Sequence, residues 1–68
     1  MSTAVMTTAT GNAIHKAAVA AIEARTATQQ ETPRVLVHLR TGGVVMSRHE
    51  SEPAAIEERD RLIAEWTT

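Results

Sequence analysis

The stretch Arg34-Val35-Leu36-Val37-His38-Leu39-Arg40-Thr41-Gly42-Gly43-Val44-Val45-Met46-Ser47-Arg48-His49 decides how this chain is read. Runs rich in β-branched residues stand on either side of two adjacent glycines. That pattern predicts a β-hairpin turning at Gly42-Gly43, because the favoured two-residue turns need positive φ at their central positions. In this register Thr41 faces Val44, Leu39 faces Met46 and Val37 faces Arg48. One face of the hairpin then holds Val35, Val37, Leu39, Val44 and Met46. The other holds Arg34, Leu36, His38, Arg40, Val45, Ser47 and His49.

On the C-terminal side, residues 52–66 predict a helix. Ser51 is placed to cap it, and Pro53 suits the first turn, where its missing N–H costs nothing. Glu52 favours the positive end of the helix dipole. Ala55, Ile56, Arg59, Leu62, Ile63 and Trp66 fall on one face, the natural mate of the apolar hairpin face. On the N-terminal side, residues 26–33 are polar and aperiodic and read as a linker, with Pro33 disfavouring helix at Thr32. Residues 12–25 are Ala-rich and predict a first helix with a thin stripe of Ile14, Ala18, Ala21 and Ile22. Residues 1–11, rich in Thr, Ser and Ala, read as a mobile arm. The expectation is an α+β single domain of order α-β-β-α, its two-stranded antiparallel hairpin packed on the C-terminal helix.

Composition narrows the function classes. Of 68 residues, 43% are apolar, yet 12 are Ala and only 17 are Val, Ile, Leu, Met or Trp. Such a chain draws only a few kcal/mol of net stability from its core. With no cysteine, neither a disulfide framework nor a thiolate metal cage is available. His38 and His49 are diagonal neighbours in the expected register, but His15 lies on another element and Glu50 points away, so no metal site is expected. No nucleophile accompanies a base, and Gly42-Gly43 lacks the lysine and spacing of a phosphate loop. No enzyme activity and no cofactor are therefore expected. No apolar run is long enough to span a bilayer, and residues 1–6 do not read as a secretory signal, so a cytoplasmic location is expected.

Charge is unevenly distributed along the chain. Residues 1–49 hold five Lys/Arg against two acids, and residues 50–68 hold six acids against two Arg, for a net charge of -1. One reading is a plainly solvated acidic side of the second helix. Another is an acidic face of Glu57, Glu58, Asp60 and Glu65 that steers a basic partner. A third is head-to-tail self-association. Leu36 and Val45, both apolar and both on the expected outward face, point to a second layer there: helix 12–25 folded over that face, or a neighbouring subunit. The outward face also carries Arg34, His38, Arg40, Arg48 and His49, a cationic ribbon of the kind that can enter a major groove.

In its order of helix, Gly42-Gly43 hairpin and helix, the chain resembles the small phage head–tail joining proteins, which implies a structural joining role. Its small size, lack of cysteine and lack of a catalytic constellation are similar to those of phage-encoded inhibitors such as anti-CRISPR proteins. The leading expectation is a protein–protein interaction module, an adaptor or inhibitor of a larger target and plausibly a homodimer. A nucleic-acid-binding hairpin is the alternative.

Overall fold

The computed structural model describes residues 4–29 and 31–68. Strands β1 (Val5–Thr7) and β2 (Ala13–His15) form a first hairpin, followed by a 3-10 turn at Lys16–Ala18. Strands β3 (Val19–Arg25), β4 (Arg34–Leu39) and β5 (Val44–Arg48) follow, and helix α1 (Glu52–Trp66) closes the order. The protein is α+β: a two-stranded sheet, a three-stranded antiparallel sheet in the order β3-β4-β5, and one C-terminal helix.

The expected hairpin and second helix are present. Ser51 caps α1, its hydroxyl accepting from the Ala54 amide, with Pro53 in the first turn. The hairpin register differs from the expected one. His38 pairs with Val44, Val37 with Val45 and Leu36 with Met46. The cause is the turn. The Gly42 amide donates to the Leu39 carbonyl, the Leu39 amide donates to the Gly43 carbonyl, and Gly42 alone has positive φ, at 97°. This is a three-residue loop, a type I turn ending in a left-handed glycine, and Gly43 already belongs to the ladder. The slip is odd-numbered, so it exchanges the two faces of β5. Val45 and Ser47 point inward, while Val44, Met46 and Arg48 join Leu36 outside.

The largest correction concerns residues 12–25, which form β2, the 3-10 turn and β3 rather than a helix. Val19 pairs with Leu39, Ile22 with Val37 and Ala24 with Val35, so the third strand covers one side of the hairpin and buries its branched residues. As a helix the segment would have buried little. Tertiary pairing therefore outweighs alanine's helical propensity. A bulge at Ala20 shifts the register between Val19 and Ala21, so that Val19 and Ile22 face the same way although three apart. That spacing is also the one that imitates a helix face.

Residues 5–11, read as part of an arm, belong to the first hairpin, while residues 1–3 lie outside the described residues. Met6 pairs with Ile14, and both join the core with Val19, Val35, Val37, Ala55 and Leu62. Helix α1 packs across β3 and β4 and against β1. Its inward face is Ala55, Glu58 and Leu62, with Trp66 half-buried. Relative to the expected face it is rolled, leaving Ile56 43% and Ile63 36% exposed. The Trp66 indole N–H donates to the Lys16 carbonyl at 3.2 Å, and Glu58 is tied to Ala9 and His49, which together set that roll.

Candidate functional site

The three-stranded sheet has one face on the core and one face open. Strand pairing places the open-face residues in rows. Arg25, Arg34 and Arg48 lie side by side across β3, β4 and β5. The next row is Glu23, Leu36 and Met46, and the third is Ala21, His38 and Val44. Two of the most exposed large apolar residues of the protein, Val44 at 51% and Met46 at 41%, are on this face.

Acidic neighbours organise part of the arginine row. The Arg34 guanidinium meets Glu31 at 2.6 Å and donates to the Thr32 carbonyl at 3.4 Å, which holds it at the sheet end. Arg25 meets Glu23 at 3.2 Å, and the same Glu23 oxygen takes the His38 imidazole at 2.9 Å. The hydrogen bond from His38 is the chief reason the Glu23 carboxyl lies below its ordinary 4.5; burial opposes the lowering, and Arg25 adds to it. Among the described residues neither Arg48 nor Arg40 has an acidic partner. A dent of about 170 Å³ opens between Glu31, Thr32, Arg34, Met46 and Arg48. The face therefore offers a cationic end with oriented guanidinium groups and an apolar middle.

A second cluster lies on the other side of the molecule. Glu58 is only 5% exposed. One of its oxygens meets the His49 ring nitrogen at 2.5 Å, and the other accepts from the Ala9 amide, with Arg61 at 3.7 Å. These contacts join the first hairpin, the end of β5 and α1. They border an open depression of about 460 Å³ whose remaining wall is Ala54 and Glu57. Both Glu58 oxygens are engaged, so the cluster acts as a structural tie. A buried carboxylate held by a backbone amide and an imidazole is costly to disturb.

The sequence candidates separate accordingly. Arg34, His38 and Arg48 share the open face with Leu36, and Arg40 sits in the turn beyond it. His49 leaves that group for Glu58, so His38 and His49 are not neighbours. Val45 faces the core instead of pairing with Leu36 outside. On the helix, Glu57 and Asp60 are exposed, Glu65 is half-buried and bonded to Arg61, and Glu58 is interior. Among the described residues no three His, Cys, Asp or Glu gather as a metal-binding group. No helix among them is long and apolar enough to cross a membrane.

Arg25 was missed because its segment read as helix. Its signal was the alternation Ile22-Glu23-Ala24-Arg25, which puts Glu23 and Arg25 on one side of a strand. The interior place of Glu58 was legible in the i, i+3, i+7 spacing of Ala55, Glu58 and Leu62. The likeness to head–tail joining proteins loses its first helix, which is strand here. No family model, no curated protein and no solved structure matches this chain.

Proposed function

We propose that the protein is a non-enzymatic binding module whose open sheet face takes a nucleic-acid duplex. The observation that carries this is the row Arg25-Arg34-Arg48 across the uncovered face, with Arg40 in the turn at the opposite end of β4. The acids of residues 50–68 belong to the helix and its approach, on the other side of the sheet. A net charge of -1 then conceals two faces of opposite sign. Strands spaced about 4.8 Å apart let two of them, the β4–β5 ribbon, enter a major groove about 12 Å wide, with β3 alongside the phosphates. Guanidinium groups suit phosphate oxygens and guanine edges, and Leu36, Met46 and Val44 are apolar surfaces for base edges.

The test is fluorescence anisotropy of the full chain with a labelled duplex over a salt series. Three or four phosphate contacts give a slope of log K against log salt of about -3. Arg48→Ala and Arg25→Ala should each flatten that slope by about one unit. Lysine at Glu57 or Asp60, behind the sheet, should leave the salt slope and any sequence preference nearly unchanged. Absence of binding at low salt would dispose of the reading.

A second reading has its own support. The apolar patch of exposed Val44 and Met46 with half-buried Leu36 suits a protein partner, with the module acting as an adaptor or inhibitor. A complex that survives high salt and is lost on Met46→Lys would favour it over nucleic acid.

A further inference from the structure

The two free edges of the three-stranded sheet are unlike each other. Strand β3 carries the bulge at Ala20, which blunts an edge against pairing. Among the described residues, strand β5 has β4 as its one neighbour, with a regular register throughout. The ladder also shows which way its amides point. The His49 amide donates to the Pro33 carbonyl, and the Leu39 amide donates to the Gly43 carbonyl. Hydrogen-bonded pairs alternate with non-bonded pairs in an antiparallel ladder, so Val45 and Ser47 turn their backbone groups toward β4. Val44, Met46 and Arg48 turn theirs outward, along the free edge. These are also the residues whose side chains lie on the open face, Val44 51% and Met46 41% exposed. Exposed edges normally carry a bulge, a proline or charged side chains along their length. This one carries two apolar side chains and a single arginine at its end.

We infer that β5 pairs with β5 of a second copy across a two-fold axis through Met46. The register follows from parity. Every hydrogen-bonded pair must join two residues with outward amides, and centring on Met46 is the arrangement that uses all of them: Met46 with the partner's Met46, and Val44 with the partner's Arg48 in both directions. Side chains opposite one another share a face, so the two methionines meet on the open side. Each arginine lies beside a valine, away from the other arginine. The inner faces match as well, Val45 opposite the partner's Ser47. The product is a continuous six-stranded antiparallel sheet with the two helices on one side. The symmetry is isologous, the commonest for soluble oligomers. The shared edge is short, so the dimer is a weak one that forms with rising concentration.

Sedimentation velocity of the full chain across a concentration series tests the pairing. The expected result is a monomer–dimer equilibrium whose dissociation constant rises at least about tenfold on Met46→Lys, which sets two like charges directly opposite each other. Met46→Pro removes an outward amide without touching the β4–β5 ladder, so it should abolish the dimer while leaving the circular dichroism spectrum and melting temperature close to those of the parent. The chain has no cysteine, so Met46→Cys with a short bis-maleimide should trap a covalent dimer. Ile56→Cys, equally exposed but on the helix, should not. A strictly monomeric parent would overturn the inference. So would a dimer indifferent to Met46→Lys, or one broken by Ile56→Lys instead.

Discussion

The two hairpins of this protein turn in the same way and are held by different forces. In the first, the Gly11 amide donates to the Thr8 carbonyl and the Thr8 amide to the Asn12 carbonyl, and Gly11 has φ of 90°. In the second, Gly42, Leu39 and Gly43 repeat that pattern with Gly42 at 97°. Each turn reads Thr-Gly at its third and fourth positions. Beyond the turn the likeness ends. Strands β4 and β5 belong to a ladder of three strands, whereas β1 and β2 are three residues each and, among the described residues, pair only with each other. A two-stranded ribbon is marginal alone. The first hairpin is kept in place by what its side chains and loop reach: Met6 and Ile14 in the core, Ala9 on Glu58, and the Thr7 carbonyl on Arg61 at 3.1 Å.

That difference is broken most forcefully through Met6, which is 1% exposed. Met6→Ala should cost about 2–5 kcal/mol, a large share of what so short a chain possesses. Leu36→Ala, on the open face of the second hairpin, should cost only about 1 kcal/mol. Urea unfolding of the two variants compares them directly. Equal small losses would mean that the first hairpin does not contribute to the core. The same contrast runs along α1, where Leu62→Ala should cost about 2–5 kcal/mol and Ile63→Ala well under half of that.

Glu58→Ala is the next test, because it leaves the Ala9 amide and the His49 ring without their partner. A cost of about 1–3 kcal/mol is expected for such orphaned groups. The more telling measurement is residue-resolved hydrogen exchange. Amides of residues 6–14 should lose protection before those of β4, since the tie holds the first hairpin directly and reaches the second only at His49, beyond the end of β5. Uniform loss across both hairpins would mean that they open as one unit.

The turns themselves come third. A Cβ added at Gly42 meets nothing within 4 Å, so Gly42→Ala is opposed only by its left-handed backbone, at about 1–2 kcal/mol. At Gly43 the added Cβ stands 3.5 Å from the Leu39 side chain, an ordinary contact, and φ is not positive. Gly43→Ala should therefore change stability by less than about 0.5 kcal/mol. Thermal melts of the pair separate a three-residue turn from a turn on both glycines, which would penalise the two substitutions alike.

How much was legible in the sequence follows from the same comparison. The second hairpin and α1 were readable because branched residues, glycine, a serine cap and an early proline all agree locally. Their fine setting was not. A pair of glycines fits two turns, and the choice of the longer one moved Val45 inward and Met46 outward. The first hairpin and β3 were hidden by composition: 12 alanines supply helical propensity, and the bulge at Ala20 interrupts the two-residue period between Val19 and Ile22. The strand nature of Val19–Arg25 is decided by Val35 and Val37, distant residues that need a neighbour. For the site, Arg34, His38 and Arg48 were found because they sit on the legible hairpin. Arg25 was lost with its strand, and Glu58 was misplaced by the roll of the helix.

The smallest effect is electrostatic and concerns the second hairpin's contact with β3. Glu23 is held below its ordinary 4.5 chiefly by the His38 hydrogen bond and secondarily by Arg25. A carboxyl whose folded value is lowered contributes stability at every pH above its unfolded value, and that contribution fades as pH falls through the folded value. The loss therefore belongs to the acid limb, from the mid-fours downward, and neutral pH leaves it intact. Solvent screening keeps it small, because the Glu23 side chain is 39% exposed. A carbon-detected titration of the Glu23 carboxyl reads the cause directly. His38→Ala should move its midpoint upward, and Arg25→Ala should move it up by less. If Arg25→Ala gave the larger shift, the imidazole would not be the partner that orders this row, and His38 would be free to serve whatever ligand the open face receives.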